Sequence, residues 1–222
     1  MTIDIDKKEL ERLQRGADVV DVHQLQSMYI QFLDQDDMMG IYSLMAKDHP
    51  EVEYEMVEAG AYIGPKSVKS MVDQCHAHMQ NPANNHGWLG LQYLWTPRIV
   101  FSADGARARA QFNLLSPHSM AVAEYPSNFR RFVDYWFIGK YDNEYIKLDG
   151  EWKILKVHVC AQSRTPCKQG WIRQPDARRI THDYDSRPDG LSRIYTYHPD
   201  AFYSAEGGVY TYQPFLPEDG SF

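Results

Sequence analysis

The chain has 222 residues, 43% hydrophobic, 24% charged and 13% aromatic, enough for one sizeable domain that needs no disulfide or metal staple. No run approaches the ~18 apolar residues of a membrane span, and the charged start MTIDIDKKELERLQRG lacks the apolar stretch of a secretory signal. Lys and Arg total 23 against 30 Asp and Glu, a net charge of -7 that repels phosphate backbones, and no basic patch offsets it. The three cysteines, Cys75, Cys160 and Cys167, have no C-x-x-C spacing, which excludes a disulfide framework or a thiolate zinc site. The expected location is cytoplasmic, with no nucleic-acid or membrane partner.

From about Asp6 to Leu33 the pattern is helical, with a break expected near Gly16; Val22, Leu25, Tyr29 and Phe32 share one face. Asp36 or Asp37 caps a second helix from Met38 to Ala46. Val52, Tyr54 and Met56 alternate with glutamates from Glu51 to Val57, the period of a half-buried strand, and a short strand follows at Ala61–Ile63. Pro65 starts a third helix, Lys66 to about Met79, with Val68, Met71, Val72 and Cys75 inward. Four long strands come next: Trp88–Phe101, Arg107–Ala121, Phe132–Leu148 and Glu151–Gln162, with hairpin turns at Asp104-Gly105 and Asp149-Gly150. Strands of this length imply a curled antiparallel sheet with helices on one face, an α+β plan. The division expected is a domain over 1–172 and an extended Pro- and Tyr-rich tail over 173–222. That tail cannot form its own core, and its exposed rings favour packing on the domain or a neighbouring subunit as a strap rather than a new strand.

Three segments carry a family resemblance: the helix end Leu25-Gln-Ser-Met-Tyr29-Ile-Gln-Phe-Leu-Asp34, the segment Val57–Val68, and the hairpin Tyr141–Leu155. Together they resemble the SnoaL-like branch of the nuclear transport factor 2-like superfamily, near bile-acid dehydratase and scytalone dehydratase, over about residues 18–165. The resemblance implies a cone-shaped curved sheet wrapped around N-terminal helices, a deep apolar pocket, acid–base residues inside it and no cofactor. It also implies a homo-oligomer, a dimer or trimer. Fold alone does not settle function, since ring-hydroxylating dioxygenase β subunits and binding proteins share it.

Tyr29 and Asp34 match the Tyr and Asp that the family's dehydratases place five apart at this helix end. A partly desolvated carboxylate can act as a base or orient a histidine, and a tyrosine can donate to a developing oxyanion. Their bland alternative is a helix cap and a core ring. The family's histidine falls, by register counted back from Thr96-Pro97-Arg98-Ile99, on Gln92. His86 has the same strand parity and reaches the pocket only from a shifted or bulged strand, so the expected catalytic set is Asp34, Tyr29 and His86. Tyr54, Trp88, Gln92, Trp95, Phe112, His118, Trp136 and His158 are the pocket candidates, with His158 assigned the face of Trp152, Ile154 and Cys160. His76 and His78 diverge on their helix, and no metal is expected. The function these residues imply is a lyase (a dehydratase) or isomerase acting on a hydrophobic ring or polycyclic compound. The alternative is a non-catalytic binding or assembly module such as a dioxygenase β subunit.

Overall fold

Aspartates set the limits of the first two helices. Asp6 caps α1 (Lys7–Asp34), its Oδ1 accepting the Glu9 amide at 2.8 Å, and Asp37 caps α2 (Met38–Leu44), accepting the Gly40 amide at 2.8 Å. Between them Asp36 takes φ +56, a left-handed conformation that aspartate tolerates, and so turns the chain. Gly40 has to be glycine: a Cβ there would lie 2.6 Å from the Phe32 ring and 2.6 Å from Asp37 Oδ2. The computed structural model describes residues 6–56, 60–81, 89–123, 130–167, 189–190 and 192–194.

α1 runs unbroken through Gly16, where the sequence reading expected an interruption. Gly16 faces open space, so nothing but its own propensity, about 1 kcal/mol, opposes helix continuity there. α3 (Pro65–Met79) follows the pair β1 (Glu53–Met56) and β2 (Gly60–Ile63), with Pro65 at its first turn. The expected strand from Trp88 divides into β3 (Leu89–Gly90) and β4 (Tyr93–Phe101). β5 (Arg107–Ala123) and β6 (Arg130–Leu148) form the long central hairpin, paired residue for residue from Arg107↔Ile146 to Ala123↔Arg130. The last long strand also divides, into β7 (Glu151–Val157) and β8 (Val159–Pro166).

With β9 at Arg193–Ile194, the strand order is β3-β5-β6-β7-β1-β2-β9, with β4 also on β5 and β8 also on β6, so each central strand changes partner along its length as the sheet curls. The sheet is mixed rather than purely antiparallel, because β1 runs parallel to β7 (Glu53↔Lys156, Tyr54↔Val157). An extra residue in β7 sets which of its side chains face inward. Between β6 and β7 the register passes from Tyr145↔Ile154 to Glu144↔Lys156, leaving Leu155 as an extra residue. Leu155 packs with Ala46 and Ile146 in a small second cluster. The main core lies between the helices and the concave face: Val22, Leu25 and Tyr29 of α1, Ile41 of α2, and Met71 and Val72 of α3 meet Phe112, Leu114, Tyr141, Tyr145 and Ile154.

Part of the tail closes the sheet edge. Arg193–Ile194 is a two-residue strand, β9, antiparallel to β2, where the sequence reading favoured a strap. Ser192 Oγ accepts the Ile63 amide at 3.0 Å, and Asp189 N–H donates to Gln74 Oε1 at 2.9 Å. The rest of the tail lies outside the described residues. Truncation after residue 188 uncovers the free edge of β2, and we expect a lower melting temperature by calorimetry; an unchanged one would show that β9 adds nothing to the fold.

Candidate active site

The site is built where α1 ends against the break between β3 and β4. At that break the Gln92 amide leaves the strand ladder and donates to Asp34 Oδ1 at 3.0 Å. The Gln92 side-chain carbonyl Oε1 accepts the Tyr141 hydroxyl. Tyr141 meets Tyr29 edge-on, ring centres 5.8 Å apart at 81°, and the Tyr29 and Tyr54 hydroxyls are 3.0 Å apart. The order Tyr54, Tyr29, Tyr141, Gln92, Asp34 is therefore a row that runs from three buried rings out to the part-buried Gln92 and Asp34.

Each member is placed by a different element. Tyr29 and Asp34 come from the last turns of α1, Tyr54 from β1 and Tyr141 from the concave face of β6. Burial is the main reason the three phenols stay protonated: it raises Tyr29 and Tyr141 well above the ordinary tyrosine range and pushes Tyr54 up to about 12. Burial also raises the Asp34 pKa; the Gln92 amide opposes this and the neighbouring Asp36 charge adds to it. The row thus combines a carboxylate that binds its proton more tightly than usual with neutral hydroxyl donors.

Of the other candidates, His118 lies on the β5 face of Phe112, Leu114 and Ser116. Its Nε2 is 2.7 Å from Ser116 Oγ, and its ring stacks on Tyr135 at 5.0 Å. Ser116 Oγ donates to the Leu91 carbonyl, so Oγ accepts from His118 and the imidazole carries its proton on Nε2. Trp95 and Phe112 stand together on a cleft between α1 and β4, outside the tyrosine row. Trp136 alternates with Tyr135 and Phe137 and so faces away from the concave side. His158 is also displaced: the Leu155 bulge reverses its parity relative to Ile154, and its Nε2 lies 3.2 Å from Glu53 Oε1. His86 and Trp88 lie outside the described residues.

Sequence reasoning missed Tyr141, which entered only as the start of the hairpin motif, and a buried polar group of Gln26, Asn143 and Tyr145. The Tyr145 hydroxyl donates to Gln26 Oε1 at 2.6 Å, and Asn143 Nδ2 donates to it at 2.9 Å. The alternation Tyr141, Asn143, Tyr145 in a strand was the available signal, since one parity carried every tyrosine of β6.

Three helices over a strongly curled sheet, with a carboxylate at the end of the first helix, define a nuclear transport factor 2-like α+β cone. The chain belongs to the SnoaL-like domain family, whose family model matches residues 14–158. Among solved structures it is similar to a type 2 hexachlorocyclohexane dehydrochlorinase (LinA), with 18% identity over 74% of this chain and 98% of that one, TM-score 0.54. The type 3 enzyme from Novosphingobium barchaimii is alike at 18% identity, covering 74% and 99%, TM-score 0.53. A scytalone-dehydratase-like protein from Novosphingobium aromaticivorans shares 16% identity over 72% and 92%, TM-score 0.51. At these identities the likeness is one of fold. No curated protein matches the chain. Among the described residues no helix is long and apolar enough to cross a membrane.

Proposed function

We propose that this protein is a cofactor-independent lyase, a dehydratase, or an isomerase acting on a hydrophobic ring or polycyclic small molecule. The observation that carries the reading is the Asp34 carboxylate, part-buried and held by the Gln92 amide, at the end of a row of protonated tyrosines. In this reading Asp34 takes a proton from a carbon next to a carbonyl, and the electron pair moves into the enolate. A tyrosine hydroxyl stabilises the enolate oxygen. In the dehydratase case the carbon–oxygen bond then breaks and the abstracted proton leaves with hydroxide as water. In the isomerase case the proton returns at a second carbon. His86 is the proposed partner that relays this proton. The protein works as a homo-oligomer in the cytoplasm.

The test is a panel of hydroxylated ring ketones followed by mass spectrometry, reading loss of one water or a shift of the double bond. Turnover that disappears in Asp34→Asn supports the reading; turnover that persists in both Asp34→Asn and His86→Ala refutes it. If His86 is the base, kcat/KM rises with pH through an apparent pKa near ~6–7, and His86→Ala removes that limb.

Gln92 favours a second reading. A glutamine stands where the family's dehydratases carry histidine, as expected of a non-catalytic module such as a dioxygenase β subunit. Such a subunit copurifies with a larger iron–sulfur partner, whereas the enzyme forms a homo-oligomer alone, and pull-down followed by sizing separates the two.

A further inference from the structure

The first turns of α1 project from the domain: residues 7–17 are exposed without exception. The helix meets the body at Arg15, whose guanidinium lies 5.2 Å from the centre of the Phe101 ring, and at Asp18, which accepts from Lys147 Nζ at 2.6 Å and Trp152 Nε1 at 2.8 Å. Val22, fully buried, continues that face. At about 100° per residue, Leu13 and Val20 point about 180° away from these three. With Leu10 and Ala17 they repeat at spacings of three and four, as the seam of a coiled coil does. Leu10, Leu13 and Val20 are 47%, 55% and 57% exposed. An isolated helix of fewer than ~12–15 residues is marginal in water, so a partner that covers this stripe would hold the projecting turns.

The charges beside the stripe choose the occupant. In an antiparallel pair of α1 helices crossing at residue 15, Leu10 meets the partner's Val20 and Leu13 meets the partner's Ala17. On the flanks Lys7 then opposes the partner's Asp21, and Glu9 opposes the partner's His23, each twice by symmetry. Lys7, Glu9, Asp21 and His23 are all exposed. A parallel pair would instead set Glu9 against the partner's Gln14 and Gly16 against the partner's Asp21, joining no opposite charges. Each domain hangs on the far side of its own helix, by Arg15 and Asp18, so neither stands between the two.

We infer that α1 of one copy pairs antiparallel with α1 of a second copy along Leu10, Leu13, Ala17 and Val20, an isologous contact at the projecting end of the helix. The paired stretch, residues 7–23, is about 25 Å long. That is a small interface, so the dissociation constant is expected on the order of 10 μM. The pairing assigns a face to the homo-oligomer of the proposed function and does not rest on the activity proposed there.

The test is sedimentation velocity on the full chain from about 1 to about 200 μM, a range in which the mass should double. Leu13→Glu should weaken the association by at least about 100-fold, since two leucines leave the interface. Lys7→Asp and Asp21→Lys should each weaken it about fivefold, and the two together should restore it. These exposed sites carry the test if Leu13→Glu fails to fold. Register is read with a short bismaleimide in a Cys167→Ser background, which removes the exposed cysteine and leaves Cys75 and Cys160 buried. There, Lys7→Cys protein and Asp21→Cys protein should crosslink when mixed, and neither should crosslink alone. A mass that Leu13→Glu leaves unchanged at every concentration, a double swap that associates no better than the single ones, a mixture that does not crosslink, or either cysteine variant crosslinking with itself would each overturn the inference.

Discussion

Replacing Asp34 by asparagine is expected to reduce turnover by about 10²–10⁴-fold while raising the melting temperature at pH 7. The two effects share one cause. Burial raises the folded-state pKa of Asp34, so the folded protein holds this proton more tightly than the unfolded chain does. The stabilisation that accompanies protonation is complete below the unfolded value of about 3.9 and is lost as pH rises through the higher folded value. Above that folded value the carboxylate is charged, and the charge is less well solvated in the fold than in the unfolded chain. Asparagine keeps an Oδ1 to accept the Gln92 amide and carries no charge. The stability advantage of the variant should therefore shrink between pH 7 and pH 4 in parallel melts. A variant that is less stable at pH 7 would show that Asp34 is a structural anchor rather than a strained catalytic group.

The second large effect is expected at Gly139→Ala. Gly139 is the point on β6 where its pairing with β8 shifts, so that Gln162 is left over between Ile138↔Ser163 and Gly139↔Ala161. A Cβ at this position would stand 2.5 Å from the Cys160 carbonyl oxygen and 3.3 Å from the Phe137 ring. The carbonyl belongs to a neighbouring strand and cannot swing aside as a side chain would. Parting the strands is expected to cost about 3 kcal/mol, which lowers the melting temperature of a domain this size by roughly 6–12 °C. Gly16→Ala is the control. It meets no atom within 4 Å on the exposed part of α1, and there the methyl should stabilise by up to about 1 kcal/mol. If Gly139→Ala melts with the unaltered protein, the tight approach of β6 and β8 is not what bends the sheet.

The helices were legible because their signals are local. Val68, Met71, Val72 and Cys75 repeat at helical spacing and are the buried residues of α3, and Asp37 sits immediately before α2 as a cap should. Gln92, reached by counting back from Thr96-Pro97, gives its backbone amide to Asp34. Strand parity failed wherever a single extra residue intervened. His158 was assigned the face of Ile154, yet Leu155 is absorbed in a bulge and the side chains from there to the next extra residue, Gln162, change sides. No local motif announces such a residue, because the bulge is set by how two strands curl together. The parallel partnership of β1 with β7 was illegible for a related reason: it joins segments about a hundred positions apart that share no turn. Tyr141 and Gln26 were missed because each reads as ordinary filling until its partners on other elements are known.

That parallel pair also orders events during synthesis. The β5–β6 hairpin is closed by its own neighbours and can form as soon as residue 148 has emerged. β1 and β2 emerge much earlier, but β1 has no partner beyond β2 until β7 appears, and β2 gains its outer neighbour only with Arg193 and Ile194. For that interval β1 and β2 have only each other as sheet partners, a ribbon open at both edges and prone to wrong pairings. Loop-closure entropy makes the long-range joins the slow step. Tyr29 and Tyr54 can meet early, but the row reaches Asp34 only through Tyr141 of β6, and the first strand is held in the sheet only when it meets one of the last.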